Sequence, residues 1–183
     1  GTEHAEEILA ADGVLYLVVG TSEGNRRGGG LFARGEPEPT GFRFITALDA
    51  DTGQSLWKKA FDQDEYLLPL TLAVKGSRVC YQTSSGIACL DYRSGDQLWK
   101  TARPTPAKRL AFSAPTLVAT DDVILLADTD VGPTADDQPA AGPVEWGVHG
   151  WSEPGFSRRA KSTLRAYAAR DGQELWSAPC REG

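Results

Sequence analysis

Glu145, His149 and Glu153 fall four residues apart in the stretch EWGVHGWSE. On a helix that spacing lines three side chains up on one face, where they would ligate a metal. Gly147 and Gly150 interrupt the helix and Pro154 closes the stretch, so the metal arrangement is not expected. The better reading gives the stretch to its aromatic side chains. Trp146 and Trp151 pack the loop back onto the protein body or bind a partner, with His149 between them on the same candidate partner face.

A second stretch, GNRRGGG from Gly24 to Gly30, has the glycine content of a phosphate-binding loop. No Gly-Lys-Ser/Thr follows it, and no strand-to-helix context surrounds it. It reads as a solvated loop, and Arg26 and Arg27 join the candidate partner face. Catalytic constellations are sparse. His4 and His149 are the only histidines, and no serine sits in a GxSxG setting. No cysteine has an activating neighbour in sequence. Asp49, Asp91 and Asp171 sit in turn contexts, which favours a structural role over acid–base work. No catalytic residue and no metal ligand is assigned.

The three cysteines are Cys80, Cys89 and Cys180, with no CxxC among them. Cys80 and Cys89 flank the turn TSSG and face each other if the hairpin register is right. A slip of one residue puts them on opposite faces, so the sequence leaves a bridge between them open. The net charge of −6 argues against a nucleic-acid or anionic-membrane partner. No apolar run nears the roughly 18 residues of a membrane-spanning helix, and the longest, Val14 to Val19, is strand-sized.

The elements that must position these loops are short. Paired apolar runs recur along the chain, split by Asp or Gly turns: EEILAA and VLYLVVG, LTLAV and RVCYQT, PTLVA and VILLAD. Such runs read as hairpins. Each pair is followed by an eleven-residue phrase that adds two more strands. The phrase is ALDADTGQSLW at Ala47, CLDYRSGDQLW at Cys89 and AYAARDGQELW at Ala166. The expected fold is all-β, as three four-stranded antiparallel units over about 6–61, 70–102 and 115–179. Four strands at a period of about 40 residues point to propeller blades.

Aligned, the phrases share a small residue (Ala47, Cys89, Ala166), a glycine (Gly53, Gly95, Gly172) and a tryptophan (Trp57, Trp99, Trp176). Asp49 and Asp91 hold the third position, and Ala168 replaces the acid in the last copy. The pattern resembles the tryptophan-docking motif AxDxxxGxxxW of the quinoprotein, or PQQ-like, β-propellers. The glycine suits a turn that needs positive φ, and the aspartate ties that turn to nearby backbone. The tryptophan buries a large ring whose N–H needs a partner. Cys89 reads as a small apolar filler rather than a redox group. The third turn, without its aspartate, is expected to be the least firmly tied.

Closed propellers have about four to eight blades, and the resemblance implies about seven or eight. Three blades and no methionine anywhere lead to the expectation of a piece of a larger repeat protein. Two insertions, 20–41 and 129–162, fall at equivalent places between the second and third strands of the outer units. They therefore emerge on one face, where binding function concentrates. The expected function is a non-catalytic scaffold for protein–protein interaction, of the kind seen in outer-membrane assembly lipoproteins. Its partner is another protein or the remaining blades of the parent chain. The resemblance further implies the periplasm or cell envelope. The alternative it offers is part of a PQQ- and calcium-dependent alcohol or sugar dehydrogenase. No adjacent Cys-Cys pair and no assignable calcium cluster is present, so no cofactor is evident from the sequence.

Overall fold

The computed structural model describes residues 4–20, 43–61, 65–68, 70–103, 115–129 and 162–180. Every regular element among them is a strand. The strands are β1 (Ala5–Ala11), β2 (Val14–Val19), β3 (Phe44–Asp49), β4 (Ser55–Ala60), β5 (Ala73–Lys75) and β6 (Arg78–Thr83). They continue as β7 (Gly86–Asp91), β8 (Gln97–Ala102), β9 (Thr116–Ala119), β10 (Val123–Thr129), β11 (Ser162–Ala168) and β12 (Glu174–Pro179). They form three four-stranded antiparallel sheets in simple meander order, β1 to β4, β5 to β8 and β9 to β12. The all-β blade architecture read from the repeats is the one observed.

Local chemistry accounts for the turns. Asp12 and Gly13 both take positive φ between β1 and β2, as Asp and Gly do in tight hairpin turns. In each β3–β4-type turn the glycine N–H donates to the carbonyl four residues back: Gly53 to Asp49, Gly95 to Asp91 and Gly172 to Ala168. All three glycines have φ near +70°.

One strand is shorter than the sequence implies. The run LTLAV yields a strand only over Ala73–Lys75. Leu70 takes a positive φ of 61°, and the Thr71 hydroxyl donates to the Leu68 carbonyl. The chain therefore turns before it can extend.

The sheets stack face to face. Tyr16, Val18, Ile45, Ala47 and Trp57 of the first pack on Val79, Tyr81, Ala88 and Leu90 of the second. Cys80, Ile87, Cys89 and Trp99 of the second pack on Leu117, Ile124, Leu126 and Tyr167 of the third. Successive sheets come closest at their first strands, β1 to β5 and β5 to β9. They diverge outward, which is the wedge of a propeller blade. The tryptophans stand on the outermost strands, where the gap is widest and a large side chain is needed.

Cys80 and Cys89 are register partners and form a disulfide, while Cys180 is free and exposed. The pair occupies the positions held by Tyr16 and Ala47 in the first sheet and by Leu125 and Ala166 in the third. Two medium side chains thus replace a large and a small one. Cys89 is fully buried, but it is half of a cross-link and not the simple apolar filler expected from its place in the phrase.

Candidate interaction face

The repeated phrase builds the seams that hold the sheets in place. Ala47 pairs across the ladder with both Tyr16 and Trp57. Its methyl group leaves room for the two rings, whose centroids lie 6.1 Å apart. The Trp57 Nε1–H donates to the Tyr92 carbonyl oxygen of the next sheet at 2.9 Å. An ideal Cβ on Gly95 would lie 2.7 Å from the Trp57 ring, so only glycine fits beneath it. The second seam repeats the first. Trp99 Nε1–H donates to the Ala169 carbonyl at 3.0 Å, and its ring covers Gly172. Among the described residues no sheet packs over Trp176, which is 47% exposed, against 8% for Trp57 and Trp99.

The aspartates serve the turns. Asp49 Oδ1 accepts from the Thr52 backbone N–H and hydroxyl, and Asp91 Oδ1 accepts from the N–H groups of Arg93 and Ser94. These bonds hold both carboxyls below the usual aspartate range. In the third copy Asp171 instead accepts from the Gln173 N–H. The backbone bonds there match those of the other copies, with 2.8 Å from Gly172 N to the Ala168 oxygen. The turn keeps its form without the acid at position 168.

The opposite end of the sheets carries the insertions. Val19 pairs with Phe44, and Thr129 pairs with Ser162, so both roots close at the same end. The middle sheet has only a two-residue turn there, Ser84–Ser85. The link between the first two sheets folds back over this end, where Leu68 N–H donates to the Gln82 carbonyl and Ser84 N–H to the Tyr66 carbonyl. Arg26, Arg27, Trp146, His149 and Trp151 lie outside the described residues, as do Glu145 and Glu153.

The floor beneath these roots is polar, which the sequence did not announce. Glu65 accepts from Thr83, Ser85 and Lys100. Burial works to raise its pKa, but the bonds from Lys100, Ser85 and Thr83 outweigh it and hold the carboxyl below its usual value. Asp128, at the root of the second insertion, accepts from Gln82 Nε2 at 2.9 Å and is paired with Arg103. Asp128 and Arg103 are both buried, and their pair joins the second sheet to the third. At the first root Arg43 pairs with Glu6 at 2.7 Å. The Glu65 group belongs to the second sheet, Arg103 and Asp128 link the second to the third, and none of them recurs at a fixed spacing, so only the fold brings them together.

Among the described residues no group of three or more His, Cys, Asp or Glu side chains is placed to hold a metal ion. No helix among them is long and apolar enough to cross a membrane.

Three solved structures have related folds. A europium-containing methanol dehydrogenase is 14% identical with a TM-score of 0.55, over 96% of this chain and 24% of its own. The quinohemoprotein alcohol dehydrogenase of Comamonas testosteroni is 13% identical with a TM-score of 0.54, over 98% of this chain and 21% of its own. BamB of Moraxella catarrhalis is 18% identical with a TM-score of 0.48, over 88% of this chain and 33% of its own. The chain thus spans a third or less of the length of each. None of the curated proteins matches it. The family model described as outer membrane protein assembly factor BamB matches residues 27–183, and with three blades joined by one repeated seam the chain belongs to this family of PQQ-like repeat proteins.

Proposed function

We propose that the chain is a non-catalytic scaffold, part of a propeller ring larger than three blades, that binds a protein partner through the end carrying its two insertions. The observation behind this reading is the shared origin of the insertions. The β2–β3 and β10–β11 connections leave the same end of the sheets, over a floor of paired charges that fixes their roots. Loops on a rigid scaffold are where binding residues concentrate. The family description, an assembly factor for outer-membrane proteins, supports a role in protein–protein contact. The Cys80–Cys89 disulfide supports an oxidising compartment such as the cell envelope.

Deletion of residues 133–159 tests the reading. The expected result is loss of partner capture from a cell-envelope extract, with the thermal midpoint nearly unchanged. Capture that survives the deletion removes the insertion face as the binding surface. Quinone absorbance, together with dye reduction by an alcohol in the natural protein, would replace the scaffold with a dehydrogenase.

A further inference from the structure

At the insertion end the first two sheets meet through two rings, and the second and third meet through two buried charges. Phe61 lies four residues after Trp57, and Arg103 lies four residues after Trp99. Phe61 packs edge-on against Tyr81 of the next sheet, with ring centroids 5.4 Å apart. Arg103 instead pairs with Asp128 of the next sheet. We infer that Arg103 and Asp128 are positioning residues for the second insertion. They hold its root against the second sheet, and partner binding depends on them while stability does not. Their role rests on the scaffold reading of the insertion end.

The ladder shows why this root needs a second hold. Val19, at the end of β2, is paired on both sides, with Ala5 of β1 and with Phe44 of β3. Asp128 stands at the same place in the third sheet, three residues after Leu125 as Val19 is three after Tyr16. It pairs with Thr163 of β11, but the ladder to β9 stops at Ala127 and Thr116. Next along is Pro115, which has no N–H to give to a ladder. The further hold comes from the neighbouring sheet. The Asp128 carboxylate accepts from Gln82 Nε2 at 2.9 Å and is paired with Arg103.

Stability alone does not call for this pair. The side chains of Arg103 and Asp128 are 9% and 1% exposed. Taking two charges out of water costs much of what their attraction returns, so apolar side chains of similar volume are often as stable in such a place. The chain itself has apolar residues at the equivalent positions of the first repeat: Val18 for Gln82, Phe61 for Arg103 and Val19 for Asp128. What apolar contacts lack is direction. A guanidinium and a carboxylate bond in a narrow geometry, so the pair sets where β10 ends and where the insertion leaves the sheet.

The experiment gives the full natural polypeptide those first-repeat residues, as Gln82→Val, Arg103→Phe and Asp128→Val together. A second variant, Asp128→Asn, keeps the shape and removes the charge. Thermal midpoint, amide hydrogen exchange along β10 and β11, and capture from a cell-envelope extract are measured beside the 133–159 deletion. The triple variant is expected to keep its midpoint. In both variants the amides of Asp128, Thr129 and Thr163 are expected to exchange about tenfold faster or more, while those of Ile124 and Tyr167, at the other end of the same ladder, keep their protection. The triple variant is also expected to lose about tenfold in affinity for the protein that the deletion fails to capture. Unchanged exchange at the root in both variants would overturn the inference. A lowered midpoint in the triple variant would assign the pair to stability and overturn it as well. Capture kept by the triple variant but lost by the deletion would overturn it and leave the scaffold reading standing. Capture kept by the deletion would remove the scaffold reading itself, and this role with it.

Discussion

The indole of Trp57 packs over Gly95 in the neighbouring blade, so close that no side chain fits between them. The same ring is tied to that turn by its hydrogen bond to the Tyr92 carbonyl. The glycine therefore does two jobs, since it takes a φ of 74° and it leaves space for the ring.

Those two jobs separate experimentally. Gly53→Ala carries only the left-handed backbone cost, roughly 1–2 kcal/mol, because no atom lies within 4 Å of its added Cβ. Gly95→Ala carries the same cost plus overpacking against Trp57, about 1–3 kcal/mol more. Urea denaturation of the two variants is expected to give a clearly larger loss at Gly95. Equal losses would mean that the ring does not depend on the glycine.

Trp99 and Trp176 hold the same place in the phrase but differ in surroundings. Trp99→Ala removes a ring that is 8% exposed and hydrogen-bonded to Ala169, and is expected to cost about 3–5 kcal/mol. Trp176→Ala is expected to cost under about 1 kcal/mol, in the range of surface changes. Thermal or urea midpoints decide. A Trp176 loss matching that of Trp99 would place a further packing partner on the third sheet.

The repeats made the architecture legible, because every blade must solve the same packing problem with the same residues. Ala47, Gly53 and Trp57 are readable as a set because Cys89, Gly95 and Trp99 repeat them at fixed spacing. The pairing of Cys80 with Cys89 turned on a register that composition does not carry, and the ladder supplies it. The short β5 was hidden because an apolar run does not reveal a turn held by Thr71 and Leu68. The floor of Glu65, Arg103 and Asp128 was hidden for another reason. Its members act once each, without counterparts in the other repeats, so no periodicity marks them.

The disulfide makes a counting prediction. Of three cysteines, only Cys180 is free, and Cys80 and Cys89 are fully buried. A thiol reagent is expected to titrate one group in the native protein and one in denaturant without reductant. With reductant present in denaturant it should find three. Three groups in denaturant alone would mean that the pair is not joined.

Acid should loosen the second blade through Glu65. Its carboxyl is held below the usual glutamate value of 4.5 by Lys100, Ser85 and Thr83, against the opposing effect of burial. A depressed folded-state pKa gives stability that is present above the unfolded value and lost as pH falls through the folded one. The expected midpoint is therefore steady above about pH 4.5 and declines below it. Glu7 works in the other direction, since burial raises its pKa despite bonds from Leu72 and Leu70. Its contribution is present at low pH and fades as pH rises through its folded value, so it partly masks the Glu65 decline. Glu65→Gln separates them. The variant is expected to be less stable at neutral pH, where the Lys100 pair is lost, and to decline less steeply below pH 4.5. A decline as steep as that of the unaltered protein would assign the acid sensitivity to Asp49, Asp91 and Asp171, whose carboxyls are also held low by their turns.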